Sequence, residues 1–207
     1  MDERRLEHAR SLLRQAQEAK RPLDQRLLVA AAFSTVMETP PIVVGGTAEE
    51  YWARDEYHPT DLDLIPTPSK ADEEAFRKLG LKKLGRHWVS QDTPVATEFP
   101  HDTTFEVRRT LDARVGDVTV KVIGVDDLYL DRLGQTTMTE STVDQHFASL
   151  LAVAVTNWAR LDWTYVQERI RDITGVNPRL GESMKRMNRS CRRIARHELA
   201  RERAKRL

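Results

Sequence analysis

The stretch that most narrows the possible folds is "PIVVGGTAEEYWARDEYHPTDLDLI", residues 41–65. Its last five residues, Asp61-Leu62-Asp63-Leu64-Ile65, alternate acid with apolar side chain. That period of two suits a strand with one buried face. Ahead of it, Ile42-Val43-Val44 reads as a short buried strand that ends at Gly45-Gly46, and "TAEEYWARDEY" reads as a helix. Strand, glycine turn, helix and second strand in this order call for a sheet with a helix crossing between two of its strands.

On a strand, residues i and i+2 point to the same side, so Asp61 and Asp63 project together while Leu62 and Leu64 face the core. Two carboxylates held side by side repel each other unless a cation lies between them. Oxygen donors of this kind suit Mg²⁺ (or Mn²⁺), which keeps several waters and takes substrate phosphates as further ligands. A pair of such ions clamps the attacking and leaving oxygens of an in-line phosphoryl displacement, and a third carboxylate from a neighbouring strand would complete the arrangement. Gly45 and Gly46 supply the other half, because paired glycines permit a tight turn and close approach of a phosphate to the backbone. The N–H groups and positive dipole end of a helix opening at Thr47 favour an anion there, and the Thr47 hydroxyl adds a donor. The expectation is a nucleoside triphosphate with its phosphates on the turn and its metals on the aspartates. Glu49 and Glu50 oppose this if either faces the ligand.

The remaining pattern places that stretch in an α+β chain with a small mixed sheet. Leu6, Ala9, Leu12, Leu13 and Ala16 recur at helical spacing. Pro22 suits the first turn of a second helix, which Pro40 and Pro41 stop. Ser69 and Gly80 bracket another helix, and "LKKLGRHWVS", "VATEFP", "FEVRRTL" and "DVTVKVIGV" are strand-like. From "DDLYLDRL" onward the chain reads as helical, with Asp126 and Asp127 as helix N-caps. The expected organisation is N-terminal helices over 1–40, a core over 41–133 and a helical region over 134–207. Trp158, Trp163 and Tyr165 read as core or interface, and the six histidines show no metal-ligand spacing. His58, near the aspartates, reads as a loop residue.

"VVGGTA…TDLDLI" resembles the signature of the nucleotidyltransferase superfamily with the DNA polymerase β-type core. "VATEFPHD", "VTVKVIGVDDLYLDRL" and "ARLDWTYVQERI" resemble a bacterial branch of it that is related to AbiEii-type abortive-infection toxins. The resemblance covers roughly residues 40–172 and implies a nucleotidyltransferase core that uses Mg²⁺ (or Mn²⁺) and an NTP. It assigns Gly45 and Gly46 to the nucleotide-binding turn and Asp61 and Asp63 to the metal pair. Glu98, on a strand-like run after the pair, is the expected third carboxylate, with Glu106 and Asp102 as fallbacks. Lys121 is expected to reach the triphosphate, although plain solvent exposure also explains an alternating lysine. The spacing departs slightly from the family's, with fourteen residues between Gly46 and Asp61.

Charge suggests a partner. Residues 182–207 hold ten Lys or Arg against three acids, a net +7 in a chain whose formal total is +1. Such a segment either attracts nucleic acid, here RNA or tRNA as acceptor, or is a solvated basic helix. If the acceptor is tRNA or a cellular protein, the chain would act as a toxin with a separate antitoxin partner. The charged start and the lack of a long apolar run lead us to expect a cytoplasmic protein with no membrane partner. The single cysteine excludes an internal disulfide and a multi-cysteine zinc site. The rival expectation is a catalytically inactive module of the same fold that binds nucleic acid or a protein.

Overall fold

Helix α1 (Glu3–Glu18) begins at Asp2, whose side chain accepts from Arg4 N, and it buries the leucine and alanine stripe from Leu6 to Ala16. Helix α2 (Pro22–Val36) starts on its proline and is buried along most of its length, since it lies between α1 and the sheet. Strand β1 (Ile42–Val44) leads directly into α3 (Gly45–Ala53), and β2 (Asp61–Ile65) follows. Helix α4 (Lys70–Lys78) carries a capping box between Ser69 and Asp72. Strands β3 (Lys82–Leu84) and β4 (His87–Val89) form a hairpin, followed by β5 (Ala96–Glu98), β6 (Thr110–Val115) and β7 (Val118–Ile123). In this computed structural model the described residues are 2–53, 59–91, 93, 95–100, 106–139 and 145–205. They form eight helices and a seven-stranded mixed sheet, the expected α+β class.

The strand order is β3-β4-β5-β2-β1-β7-β6. β1 pairs antiparallel with β2 and parallel with β7, and β2 pairs parallel with β5. Residues paired across strands point to the same face, so the register sorts the sheet. On one face lie Val43, Leu62, Leu64, Trp88, Thr97, Val120 and Val122, all buried. Phe33 of α2 and Phe76 of α4 pack there, with Phe33–Phe76 centroids 4.7 Å apart and Phe76–Trp88 5.1 Å apart. The other face carries the acidic pair and Lys121 among Ile42, Val44 and Ile65.

The chain folds as two compact units, Met1–Asp102 with Thr110–Ile123, and Thr103–Arg109 with Gly124–Leu207. Helix α5 (Val125–Thr139) runs straight through the 133/134 division expected from the sequence. The second unit adds α6 (Gln145–Thr156), α7 (Trp163–Val176) and the 28-residue α8 (Pro178–Lys205). Gly181 lets α8 press on α7, because a Cβ there would meet the Thr174 Cα at 2.5 Å. Asp126 and Asp127 lie inside the first turn of α5 and serve as tethers rather than N-caps. Asp127 accepts from the backbone N–H of Arg108 and of Arg109, both at 2.7 Å, and from the Tyr165 hydroxyl. Asp126 accepts from Asp162 N at 2.8 Å.

Candidate metal centre on the polar face of the sheet

The polar face owes its geometry to the buried one. Trp88 and Thr97 point into the core, which turns their neighbours His87 and Glu98 the opposite way. Phe99, next along, closes the aromatic cluster against Phe33 at 5.6 Å. The pairing then sets Asp63 level with both Val44 and Glu98, Asp61 level with Ala96, and His87 level with Glu98. Asp61, Asp63, Glu98 and His87 therefore share one face, all partly exposed.

Asp61, His87 and Glu98 can each bring one ligand atom within 4.8 Å of the others, a cluster able to hold a metal ion. Two carboxylates and an imidazole fit a divalent cation, and the imidazole shifts the preference from Mg²⁺ toward a borderline ion such as Mn²⁺. The Glu98 carboxylate pairs with Arg86 Nε at 3.2 Å and faces His87 Nε2 at 3.5 Å. Asp63 is engaged differently. Gly45 has φ +61°, and a Cβ there would overlap Asp63 Oδ2 and lie 2.8 Å from its Cγ. The Asp63 carboxylate thus rests against the glycine bend at the start of α3, where the helix dipole favours negative charge. Sequence reasoning expected a phosphate at that bend. It is instead the Asp63 side chain that sits at the bend where β1 ends.

The other expected ligands fall into three groups. Thr47 is fully buried and its hydroxyl donates to the Asp61 carbonyl at 3.1 Å, so it positions β2 instead of presenting a donor at the surface. Glu49 and Glu50 are buried as well, and Glu50 forms an ion pair with Arg26 of α2. Neither presents its charge at the surface beside the turn. Arg26 also donates to the Pro59 carbonyl at 2.8 Å, two residues before Asp61, and so fastens the chain as it enters β2. Lys121 lies on the same face, exposed, but level with Ile42 and Ile65. Two strand spacings and two residues of rise put its Cα about 12 Å from that of Asp63. It sits away from the glycine bend, because β7 pairs parallel to β1 with Lys121 level with Ile42, the first residue of β1. Glu106 is exposed in the second unit and pairs with Arg108 at 3.0 Å. Asp102 and His58 lie outside the described residues.

Sequence reasoning missed His87 and Arg26. Alternation around Trp88 could have turned His87 outward, but its meeting with Glu98 depends on long-range strand pairing. Among the described residues, no helix is long and apolar enough to cross a membrane. Comparison with family models gives no match, and comparison with curated proteins and with solved structures gives none that is significant.

Proposed function

We propose that this chain is a metal-dependent nucleotidyltransferase, which moves a nucleoside monophosphate from an NTP to a hydroxyl acceptor. The observation that carries this reading is the contact between halves of one site. The Asp63 carboxylate lies against the Gly45 bend, and Asp61 and Glu98 stand on the same face beside it. Asp61, Glu98 and His87 would hold a divalent cation, with Asp63 adjacent, and the cation would neutralise phosphate charge when bound. Since the Asp63 carboxylate occupies the bend at Gly45, the triphosphate would approach beside it, toward the cation that Asp61, Glu98 and His87 would hold. Glu98 would orient the acceptor hydroxyl and take its proton as the oxygen bonds to the α-phosphorus. The bond from that phosphorus to the bridging oxygen breaks, and pyrophosphate leaves. A second reading, an inactive binding module, draws on Thr47 and Lys121, neither of which offers a ligand at the bend.

The test incubates the full chain with each α-labelled NTP, Mg²⁺ or Mn²⁺, and total cellular RNA and protein, with Asp61→Asn as control. Label transferred by the parent chain and lost in the variant supports the proposal and names the acceptor. Equal label in both, or none in either with folded protein, overturns it.

A further inference from the structure

The second unit has a charged groove of its own. A cavity of about 420 Å³ lies between α7 and α8. Four of its lining side chains are cationic, Arg171 from α7 and Lys185, Arg189 and Arg192 from α8, while Gln167 and Asn188 add amides. The Tyr129 hydroxyl donates to Asn188 Oδ1 at 2.9 Å, which fixes that side chain at the groove wall. Lys185, Arg189, Arg192 and Arg196 are spaced four, three and four residues apart. They form one row within about 60° of the helix circumference, rising about 16 Å along the axis.

Two members of the row are held in place without being neutralised. The Arg192 guanidinium lies 4.7 Å from the Trp163 ring and that of Arg196 lies 5.5 Å from Trp158. The two indoles are themselves 4.7 Å apart. An aromatic face orients a guanidinium while leaving its charge and in-plane donors available. Arg192 Nε is buried with no hydrogen-bond partner among the described residues. Among those residues, Glu182 pairs with Lys185 at 2.8 Å and also lies near Arg189, and Glu168 pairs with Arg171 at 3.7 Å.

We propose that this row and groove bind the phosphodiester backbone of a nucleic-acid strand. Three of the four cations in the row are arginines, the side chain whose planar fork of donors suits phosphate and nucleic-acid recognition. Planar guanidinium groups engage phosphate through two donors each. The groove lies wholly within the second unit, so the proposal stands apart from the chemistry assigned to the sheet.

The test measures fluorescence anisotropy of the full chain with labelled single-stranded RNA, single-stranded DNA and duplex DNA of one sequence, without NTP or divalent metal. Polyglutamate serves as the competing polyanion. Four phosphate contacts predict a slope of log affinity against log salt of about −3 for a single strand. Arg189→Glu with Arg196→Glu should flatten that slope by about half and weaken binding at least about tenfold at moderate salt. Circular dichroism checks that the variant is folded, and Arg189→Gln, at an exposed position that stacks on no ring, serves if it is not. The relative affinities of the strands identify which nucleic acid is preferred. A slope near zero, unchanged affinity in the folded variants, or polyglutamate bound as tightly as the strands would overturn the proposal.

Discussion

The two faces of the seven-stranded sheet are built from the same strands in the same register, yet one is closed by aromatic packing and the other carries a cluster of acids with an imidazole. One face holds Leu62, Leu64, Trp88, Thr97 and Val122 in a closed core with Phe33 and Phe76. The other holds Asp61, Asp63, His87 and Glu98. Adjacent residues of one strand thus divide the work: Leu62 supplies burial energy and Asp61 supplies a charge that burial energy must hold in place. The apolar face fixes where the strands sit, and the polar face inherits its ligand geometry from them.

If that division is right, the largest loss comes from the apolar side. Trp88→Ala should cost about 3–5 kcal/mol, measured by urea denaturation, and metal binding by the neighbouring His87 and Glu98 should fall with it. An unchanged midpoint would break the comparison, because the polar face would then not depend on the core beneath it. Gly45→Ala comes next, at about 2–4 kcal/mol, since it combines a left-handed backbone with overlap on Asp63. In an Asp63→Ala background the same change should cost at least about 1 kcal/mol less, since the overlapping group is gone. Additive costs would show that the carboxylate does not rest on the bend.

The acidic side should show the reverse pattern. Asp61→Asn or Glu98→Gln should weaken Mn²⁺ binding at least about tenfold by calorimetry, a ligand-loss effect, with a melting temperature equal to or above that of the parent. His87→Ala should weaken Mn²⁺ more than Mg²⁺, because an imidazole prefers the softer ion. Equal effects on both ions would remove His87 from the ligand set. The smallest effect is expected at Lys121→Ala, within about 0.5 kcal/mol in stability and without change in nucleotide affinity. A large loss of affinity there would extend the site one strand further, from β1 to β7.

The sheet's local logic was readable in the sequence, and its long-range pairing was not. Leu62 and Leu64 announce which side of β2 is buried, so the shared direction of Asp61 and Asp63 follows from residues next to them. Gly45 is also readable, as a break between an apolar strand and a helix. Thr47 misled because a hydroxyl after a glycine turn offers a donor to a ligand or to a nearby carbonyl, and only the fold shows Asp61's carbonyl beside it. Lys121 misled for a related reason: alternation gives its face, but the parallel pairing of β7 with β1 decides its height on that face. His87 needed both the β3–β4 hairpin and the β4–β5 pairing before it could meet Glu98. The basic C-terminal segment was visible by charge alone, whereas the indoles that order two of its arginines are contributed from outside the helix.

Arg26 has two jobs that can be separated. Its pair with Glu50 is enclosed by the core, and buried ion pairs of this type are often replaced by apolar groups of similar volume at little cost or even a gain. Its bond to Pro59 has no such substitute, since a hydrocarbon cannot donate to a carbonyl. A redesign with apolar residues at both positions could therefore raise the melting point while loosening the lead-in to the acidic strand. Thermal stability and the placement of Asp61 would then part company at a position outside the acidic cluster.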